Sequence, residues 1–475
     1  MKFTSTRDTN LRLTAAEVIV RGLSDDGGLF VPIDFPMISN NSFLGKSYLE
    51  IATLILGKFL DEDFSADEIS EMLHAAYDEA LPVQLSVLTE NESILELFHG
   101  KTAAFKDVAL QLLPHLMTAA LKKTGEKREA VILTATSGDT GSAVMSGFSN
   151  VSNTRVIVFY PKTGISEIQR LQMTTQPAKN VHAVAIHGNF DDAQTAVKKL
   201  FQDKEFSAEF EETSFFTSAN SINFGRLLPQ IVYYFWAYSE LVSSKQISVG
   251  DPVDFSVPTG NFGNILAGFY AKKMGLPVGK LICATNQNSV LFDFFKTGRY
   301  DRNRDFHVTN SPSMDILVSS NFERLIYHMG DETLVRKTQT ALEKDGYYTV
   351  PAEIFIEISK VFSSYTVNNH ATSALIAEAK KDHHYILDPH TAVAYGAAST
   401  DRIVTESKNY QLILATASPY KFEETVSAAL GYELSATEIP ESLSGLTDRT
   451  VSQKREIDKA NLKMCIQEIL THDKL

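Results

Sequence analysis

The sequence from residue 99 to residue 116 reads His-Gly-Lys-Thr-Ala-Ala-Phe-Lys-Asp-Val-Ala-Leu-Gln-Leu-Leu-Pro-His-Leu, and the other motifs of the chain are arranged around it. Its apolar side chains recur at the spacing of one face of an α-helix. These residues are Phe105, Val108, Ala109, Leu112, Leu113 and Leu116. We therefore expect an amphipathic helix packed against a core. Pro114 lacks a backbone donor, so it is expected to end or kink this helix.

Lys106 lies one residue after the start of this apolar stripe and follows a loop of glycine and small residues. A lysine held against a core at a helix start would be partly desolvated, and desolvation favours the neutral amine. Only the neutral amine attacks a carbonyl group or accepts a substrate proton, as a Schiff-base lysine must. The alternative is a lysine that extends its apolar stem along the helix and leaves its ammonium in water. This stretch alone leaves both interpretations open.

From residue 130 onward, short apolar segments alternate with loops rich in Gly, Ser, Thr or Asn and with helical segments. The segments predicted as strands are 130–134, 155–160, 181–186, 254–258, 281–285, 385–388 and 411–415. Their apolar runs are continuous, which is typical of parallel strands covered by helices on both faces. The sequence therefore predicts an α/β fold with two open, mostly parallel sheets wrapped by helices. Ligands of such folds bind at the carboxyl ends of the strands.

The two ends of the chain differ from this pattern. Residues 45–85 place apolar and acidic side chains at helical spacing, which predicts a mainly helical N-terminal domain. Before it, Thr14 and Glu17 form a capping-box pattern, and Gly22 can end the short helix that follows. From about residue 436 the chain turns polar, and residues 449–470 are predicted to form a surface helix. We expect an N-terminal domain over 1–88, two α/β subdomains over 89–430 and a helical tail over 431–475.

Composition excludes several classes of protein. The chain has 475 residues, 44% of them hydrophobic, as expected for a globular protein of two or three domains. Its net charge of −14 would repel phosphate backbones, so we expect no nucleic-acid partner. Two cysteines, Cys283 and Cys465, cannot form a disulfide framework and fit a reducing compartment. The first residues lack an apolar signal core, and no run reaches the roughly 18 apolar residues of a membrane span. We therefore expect a cytoplasmic protein with no membrane partner.

Two loops that follow predicted strands have features of anion sites. Residues 260–264, Gly-Asn-Phe-Gly-Asn, precede a helix, so their backbone amides and the helix dipole can hold a phosphate monoester. The alternative is a tight turn that binds nothing. Residues 136–142, Thr-Ser-Gly-Asp-Thr-Gly-Ser, offer hydroxyl donors for a carboxylate or a phosphate. Those hydroxyls can equally cap the helix that follows.

Further polar groups occur in the second half of the chain. Residues 218–226, Ser-Ala-Asn-Ser-Ile-Asn-Phe-Gly-Arg, gather amide, hydroxyl and guanidinium donors that suit a dianion, with an N-cap and a surface arginine as the alternative. Thr416 places one hydroxyl after strand 411–415. His99, His187 and His390 have no metal-binding spacing, so we interpret them as structural or surface residues and expect no metal.

Taken together, these segments offer a buried amine, a phosphate loop, a second anion site and a lone hydroxyl. Pyridoxal phosphate requires an amine for its aldehyde, amides for its phosphate and a partner for its ring nitrogen. The second anion site would then belong to a substrate with its own anionic group. No Gly-x-Gly-x-x-Gly follows a predicted strand, which disfavours a nucleotide-dependent dehydrogenase.

Five motifs of this chain stand in the order in which one enzyme family has them. They are Gly22-Leu-Ser-Asp-Asp-Gly-Gly-Leu-Phe-Val-Pro32, His99-Gly-Lys-Thr-Ala-Ala-Phe-Lys-Asp107, Thr136-Ser-Gly-Asp-Thr-Gly141, Ser218-Ala-Asn-Ser-Ile-Asn223 with Arg226, and Pro258-Thr-Gly-Asn-Phe-Gly-Asn264. With them the chain resembles the threonine synthase family, pyridoxal phosphate enzymes of fold type II with the tryptophan synthase β-like fold. The likeness extends from the first residues to about Phe422. It implies that residues 89–430 form the catalytic region.

The resemblance also implies a role for each matching residue. Lys106 would be the catalytic residue and the Schiff-base lysine. The residues implied to bind the cofactor are Lys106, Gly260, Asn261, Phe262, Gly263, Asn264 and Thr416, the last at the pyridine nitrogen. The residues implied to bind the substrate are Thr140, Asn220, Ser221 and Arg226 for its phosphate, and Thr136 and Ser137 for its α-carboxylate. Asp139 stands where some relatives have asparagine near the cofactor's 3′ oxygen, and its role is left open.

The reaction that the resemblance implies is a lyase reaction, the conversion of O-phospho-L-homoserine and water into L-threonine and phosphate. One alternative is an enzyme like serine or threonine dehydratase, which needs no dianion site. The other is a non-catalytic relative that binds a phosphate ligand and would not require Lys106 or Thr416. Lys101 replaces a proline of the family motif and is expected to face solvent. We expect a monomer or a homodimer.

Overall fold

The computed structural model describes residues 1–77, 81–136, 138–188, 190–435 and 439–472. Its strands are β1 Phe3–Ser5, β2 Phe30–Pro32, β3 Gln84–Thr89, β4 Glu92–Glu96, β5 Glu129–Ala135, β6 Thr154–Pro161, β7 Val181–His187, β8 Ser214–Thr217, β9 Val253–Pro258, β10 Val278–Thr285, β11 Arg299–Asp301, β12 Tyr347–Thr349, β13 Phe362–Thr366, β14 Tyr410–Ala415 and β15 Arg455–Asp458. Two of the sheets they form are large, and both have helices on their faces.

The larger sheet has the strand order β13-β10-β9-β14-β4-β3, with only its edge strand β3 antiparallel to its neighbour. The second sheet has the order β15-β7-β6-β5-β8 and is parallel throughout. Within the described residues, β1 pairs with β2 and β11 with β12 in small antiparallel sheets. The predicted α/β fold with two open, mostly parallel sheets is confirmed.

Helices fill the segments between the strands. They are α1 Ala15–Arg21, α2 Tyr48–Leu60, α3 Ala66–Tyr77, α4 Lys106–Leu110, α5 Leu113–Thr124, α6 Asp139–Gly147, α7 Glu167–Thr174, α8 Phe190–Gln202, α9 Lys204–Ala208, α10 Phe224–Ser243, α11 Gly263–Lys273, α12 Val290–Thr297, α13 Phe322–Met329, α14 Glu332–Lys344, α15 Ala352–Val361, α16 Asn369–His383, α17 Pro389–Thr405, α18 Glu423–Leu430 and α19 Leu462–His472. In the part of the chain that the structure describes, none of them is both long and apolar enough to cross a membrane.

The N-terminal region is mainly helical, as predicted. The Thr14 hydroxyl accepts a hydrogen bond from the Glu17 backbone, and the Glu17 carboxylate accepts one from the Thr14 backbone, so the capping box begins α1. Gly22 ends the helix with a φ of 72°. The boundary expected after residue 88 cuts through β3, because this strand begins at Gln84 and already belongs to the larger sheet.

The helix predicted after Lys106 is interrupted. α4 ends at Leu110 and α5 begins at Leu113, with Pro114 in its first turn, where the missing backbone donor is tolerated. The predicted break at this proline is therefore confirmed. The apolar face remains continuous, because the six predicted residues except the half-buried Phe105 are buried.

Two predictions of secondary structure are wrong. Residues 385–388 form no strand, because Asp388 instead caps α17 and accepts hydrogen bonds from the backbone of His390 and Thr391. Residues 449–470 are not one surface helix. Their first part forms β15, which pairs with β7, and α19 packs buried side chains such as Ile466 against the second sheet. The polar residues of β15 concealed it, since an edge strand exposes much of its surface.

Candidate functional site

One cavity brings together residues from both large sheets. It lies between the carboxyl ends of β5, β9 and β14. The predicted site residues that line it are Lys106, Thr136, Thr140, Asn220, Ser221, Arg226, Gly260, Asn261, Phe262, Gly263, Asn264 and Thr416. Ser137, the remaining predicted substrate residue, lies outside the described residues.

Lys106 is the first residue of α4 and is only 8% exposed. Its amine lies 3.2 Å from Asp139 Oδ2, at the start of α6. Burial lowers the pKa of Lys106, whereas Asp139 opposes this shift. Arg226 adds to the lowering, because a second cation nearby disfavours the charged amine. Of the two interpretations of this lysine, the structure therefore excludes an ammonium in bulk water.

Asp139 is the most densely bonded side chain of the cavity. Its Oδ1 accepts a hydrogen bond of 2.8 Å from the Gln169 amide and lies 2.9 Å from the amine of Lys421. Its Oδ2 accepts from Ser313 Oγ at 3.3 Å, in addition to Lys106. Burial alone would raise the pKa of Asp139, but the two lysines outweigh it and hold the pKa well below its usual range. The ionised form of this carboxylate is thus favoured, and it lies between the amines of two lysines.

The loop of residues 260–264 presents backbone rather than side chains to the cavity. The Phe262 ring is buried against Phe295 and Phe322, and its φ of 61° turns the chain into α11. A Cβ on Gly260 would lie 2.7 Å from the Ser313 carbonyl oxygen, so a larger residue does not fit without movement. This narrow turn at a helix N-terminus is suited to a phosphate group.

The two asparagines of this loop have unused polar atoms. Asn261 Oδ1 and Asn264 Nδ2 are buried and have no hydrogen-bond partner among the residues that the structure describes. The other end of the Asn264 amide is held, because its Oδ1 accepts from Tyr233 at 2.6 Å and from Tyr234 at 2.9 Å. Buried polar atoms without a partner are costly, which indicates that a bound polar group completes their hydrogen bonds.

A second group of donors lies on the other side of the cavity. Arg226, in the first turn of α10, is 5% exposed, donates to the Ala219 carbonyl at 3.0 Å and lies 3.4 Å from the Thr140 hydroxyl. Burial lowers its pKa to about 10. Asn220 lies next to Ala219, and its Oδ1 is buried with no hydrogen-bond partner among the described residues. A guanidinium with no carboxylate bonded to it among the described residues is suited to an anionic ligand.

Two residues that the sequence does not single out connect the loops of the two anion sites by hydrogen bonds. Asn321 Nδ2 donates to Ser221 Oγ and to the Asn261 carbonyl, both at 2.9 Å. Arg324 is fully buried and donates to the carbonyls of Ser221 at 3.1 Å and Ile222 at 2.7 Å. Neither residue belongs to a recognisable motif, so the sequence gives no signal of this link.

Thr136 and Thr416 shape the cavity from two strand ends. Thr136 Oγ accepts hydrogen bonds from the backbone of Gly138 at 2.9 Å and Gly141 at 3.0 Å, which fixes the turn into α6. Thr416 follows β14, and its carbonyl accepts a hydrogen bond of 2.8 Å from the Phe105 backbone. That bond ties the strand end to the residue before Lys106. Lys101 is exposed, as expected.

His390 is a structural residue, as one of the two predicted alternatives has it, and it lies at the cavity. It is buried and lines the cavity, with Nδ1 2.8 Å from Asp388 Oδ1, and its Nε2 accepts from the Ser313 backbone at 3.1 Å. His390 thereby holds the segment that covers Gly260. His99 and His187 are exposed. The Asp-Pro pair before His390 indicates the start of a helix, but not that this helix borders the cavity.

Comparisons with known proteins agree along the whole chain. The family described as "Threonine synthase N terminus" matches residues 2–77, "Pyridoxal-phosphate dependent enzyme" matches residues 94–417, and "Threonine synthase, C-terminal" matches residues 391–467. A threonine synthase from Saccharomyces cerevisiae is 37% identical, and the alignment covers 100% of this chain and 99% of the relative. The structure of a pyridoxal-phosphate-bound threonine synthase from Brucella melitensis matches with a TM-score of 0.90 and 37% identity over 100% of both chains.

Longer relatives also match. Threonine synthase-like 1 from Homo sapiens is 41% identical over 87% of this chain and 58% of the relative. The chain therefore spans about three-fifths of the length of these longer relatives.

Proposed function

Because the chain belongs to the threonine synthase family of pyridoxal-phosphate dependent enzymes, we propose that it is a lyase of threonine biosynthesis that uses this cofactor. The proposed reaction converts O-phospho-L-homoserine and water into L-threonine and phosphate. The observation that carries the proposal is the cavity itself, in which two separate anion sites flank one buried lysine amine. A substrate with its own phosphate and a cofactor with another require this arrangement.

The residues present fit the cofactor. Lys106 offers a buried amine for its aldehyde, residues 260–264 offer a narrow glycine turn at a helix N-terminus, and Thr416 offers a hydroxyl for its ring nitrogen. The unpartnered atoms of Asn261 and Asn264 agree with a bound polar group. When bound, pyridoxal phosphate supplies an electron sink for the charge that forms as the substrate loses protons.

We assign the second anion site to the substrate's phosphate. Arg226 would supply a planar guanidinium to the dianion, with Thr140, Asn220 and Ser221 as neutral donors around it. Thr136, which follows β5, would take the α-carboxylate, and we propose the same role for Ser137. The Arg226 guanidinium is already fixed by the Ala219 carbonyl, so little side-chain freedom is lost when an anion binds.

Lys106 is the residue that would move protons. Its lowered pKa favours the neutral amine, which can accept the proton from the substrate's Cα. The cavity keeps this amine out of bulk water, so the proton stays available for return to a neighbouring carbon. A second proton leaves Cβ as the phosphate leaves from Cγ, where Arg226 can stabilise the developing charge. Cγ then takes up a proton, water adds at Cβ, and a proton returns to Cα to give threonine.

Two features support this reaction over the alternatives. A serine or threonine dehydratase eliminates a small group and has no use for the buried guanidinium of Arg226. A non-catalytic phosphate-binding relative has no use for Lys106 held beside Asp139 in the interior. Both features are explained by a phosphorylated amino-acid substrate that undergoes proton transfer.

The experiment measures purified protein in two ways. The visible absorbance reports the lysine-bound cofactor, and inorganic phosphate and threonine report turnover of O-phospho-L-homoserine. We expect Lys106→Ala to lose both the visible band and turnover, while the exposed Lys122→Met keeps both. Normal threonine release by Lys106→Ala would refute the assignment. Release of pyruvate from serine without turnover of phosphohomoserine would favour the dehydratase.

Three further properties stay proposals. A cytoplasmic location fits the two free, buried cysteines, Cys283 and Cys465. We propose a monomer or a homodimer. We also propose a division into an N-terminal domain, a central catalytic region and a C-terminal tail, with the first boundary before β3 rather than after residue 88.

A further inference from the structure

Two lysines share one buried carboxylate at the centre of the cavity. Lys421 is 0% exposed and lies 2.9 Å from Asp139 Oδ1, while Lys106 lies 3.2 Å from Asp139 Oδ2. The Lys421 amine also donates a hydrogen bond of 2.8 Å to the Thr102 carbonyl. Each of the two carboxylate oxygens of Asp139 therefore contacts one lysine amine, and the two lysines belong to different segments of the chain.

Burying an ammonium lowers the stability of the fold, so a buried lysine suggests that its charge has a function. Taking a lysine out of water costs several kcal/mol, and packed apolar side chains of similar size often serve stability as well or better. Lys421 follows β14 in the turn of residues 419–422, five residues after Thr416. Its place in the chain thus ties it to the predicted cofactor site rather than to a distant part of the core.

The charge balance explains what this lysine does. Lys106 must become neutral to bind an aldehyde or to accept a proton, and Asp139 then loses one of its two cations. With Lys421 present, the carboxylate keeps a counterion, so the proton can leave Lys106 without isolating a buried negative charge. Without Lys421, the ammonium of Lys106 would be the only cation bonded to Asp139, and the pair would hold the proton on Lys106.

We propose that Lys421 is a positioning residue that acts through Asp139 to let the nitrogen of Lys106 release its proton. The inference rests on the proposed function, since it concerns the same lysine. It also gives Asp139 a role that the sequence left open. An acidic residue is tolerated beside an electron-rich cofactor oxygen because Lys421 neutralises it.

Other charged groups also face this pair and remain in the variants below. Arg226 approaches from α10 and His390 from α17, and Asp107 of α4 is bonded to the Thr102 hydroxyl at 2.7 Å. These groups are the same in all variants. A difference in the pH midpoint between variants therefore reports the Lys421–Asp139 pair.

The test is a pH titration of the visible spectrum of the cofactor-loaded protein, without substrate. The protonated and unprotonated forms of a lysine–pyridoxal linkage absorb at different wavelengths, so the midpoint reports the proton on the Lys106 nitrogen. Removing a cation should raise the midpoint, and we expect a rise of about 1 pH unit or more in Lys421→Met. Removing an anion should lower it, by about 1 to 3 pH units in Asp139→Asn. Lys122→Met, which changes an exposed lysine on α5, should keep the wild-type midpoint.

The outcomes separate this inference from the proposed function. A purely structural role for Lys421 would not move the two midpoints in opposite directions. A wild-type midpoint in a folded Lys421→Met would overturn the inference, and so would an unchanged midpoint in Asp139→Asn, which does not depend on the folding of the first variant. Wild-type protein without a visible band would instead refute the proposed function.

Discussion

Replacement of Arg226 is the sharpest probe of the substrate site. Arg226→Met keeps an apolar stem of similar length and removes the guanidinium that donates to Ala219 and faces Thr140. A hydrogen bond to a charged group contributes about 1.5 to 3 kcal/mol, and a guanidinium can give a phosphate two of them. We therefore expect a loss of about 3 to 6 kcal/mol, which is about 10²- to 10⁴-fold in kcat/KM for O-phospho-L-homoserine.

The assay follows phosphate release at several substrate concentrations. The cofactor should stay bound and a visible band should persist, because Arg226 lies in the second anion site rather than in the loop of residues 260–264. Arg226→Lys should retain part of the activity, since it keeps the charge but not the planar pair of donors. Arg299→Met, which removes an exposed guanidinium, is the matched control. An Arg226→Met enzyme with the wild-type KM and kcat would refute the assignment of this site to the substrate's phosphate.

Two further predictions concern the supporting residues. Gly260→Ala places a Cβ 2.7 Å from the Ser313 carbonyl, so we expect at least about tenfold weaker retention of the cofactor on dialysis, measured by visible absorbance. Gly57→Ala is its control, because nothing lies within 4 Å of that Cβ and alanine favours the α2 helix; equal retention in both variants would contradict the role of the turn. Arg324→Met leaves buried carbonyls without donors, and we expect a loss of about 3 kcal/mol or more in the free energy of unfolding, measured by urea denaturation. A change as small as that of the exposed Arg299→Met would argue against the link between the two anion sites.

The sequence predicts the sheets wherever a strand is uniformly apolar. Segments such as 130–134 and 411–415 became β5 and β14, because strands covered on both faces require continuous apolar runs. β13 was missed because Ser363, Ser364 and Thr366 make its sequence polar, and β15 for the same reason. Both are edge strands, where burial imposes less on the sequence.

Some residues of the site could likewise be predicted from the sequence, and others could not. Motif residues such as Lys106 and Arg226 could be found because each stands in a dense local pattern of glycine and polar residues. Lys421, Arg324 and Asn321 could not, because their meaning depends on partners far away in the chain. Arg324, for example, donates to carbonyls of residues 30, 221 and 222, which no local pattern connects to it.

The pairing of β4 with β14 has a consequence for how the protein is made. Ser93 lies opposite Leu412 in the register, so the larger sheet stays incomplete until β14 has been synthesised. The same docking brings the Phe105 backbone to the Thr416 carbonyl, just before Lys106. A nascent chain therefore has no finished cavity to offer the vitamin B6 aldehyde. We therefore expect the cofactor to bind only after these strands have paired, and contacts so distant in sequence form slowly.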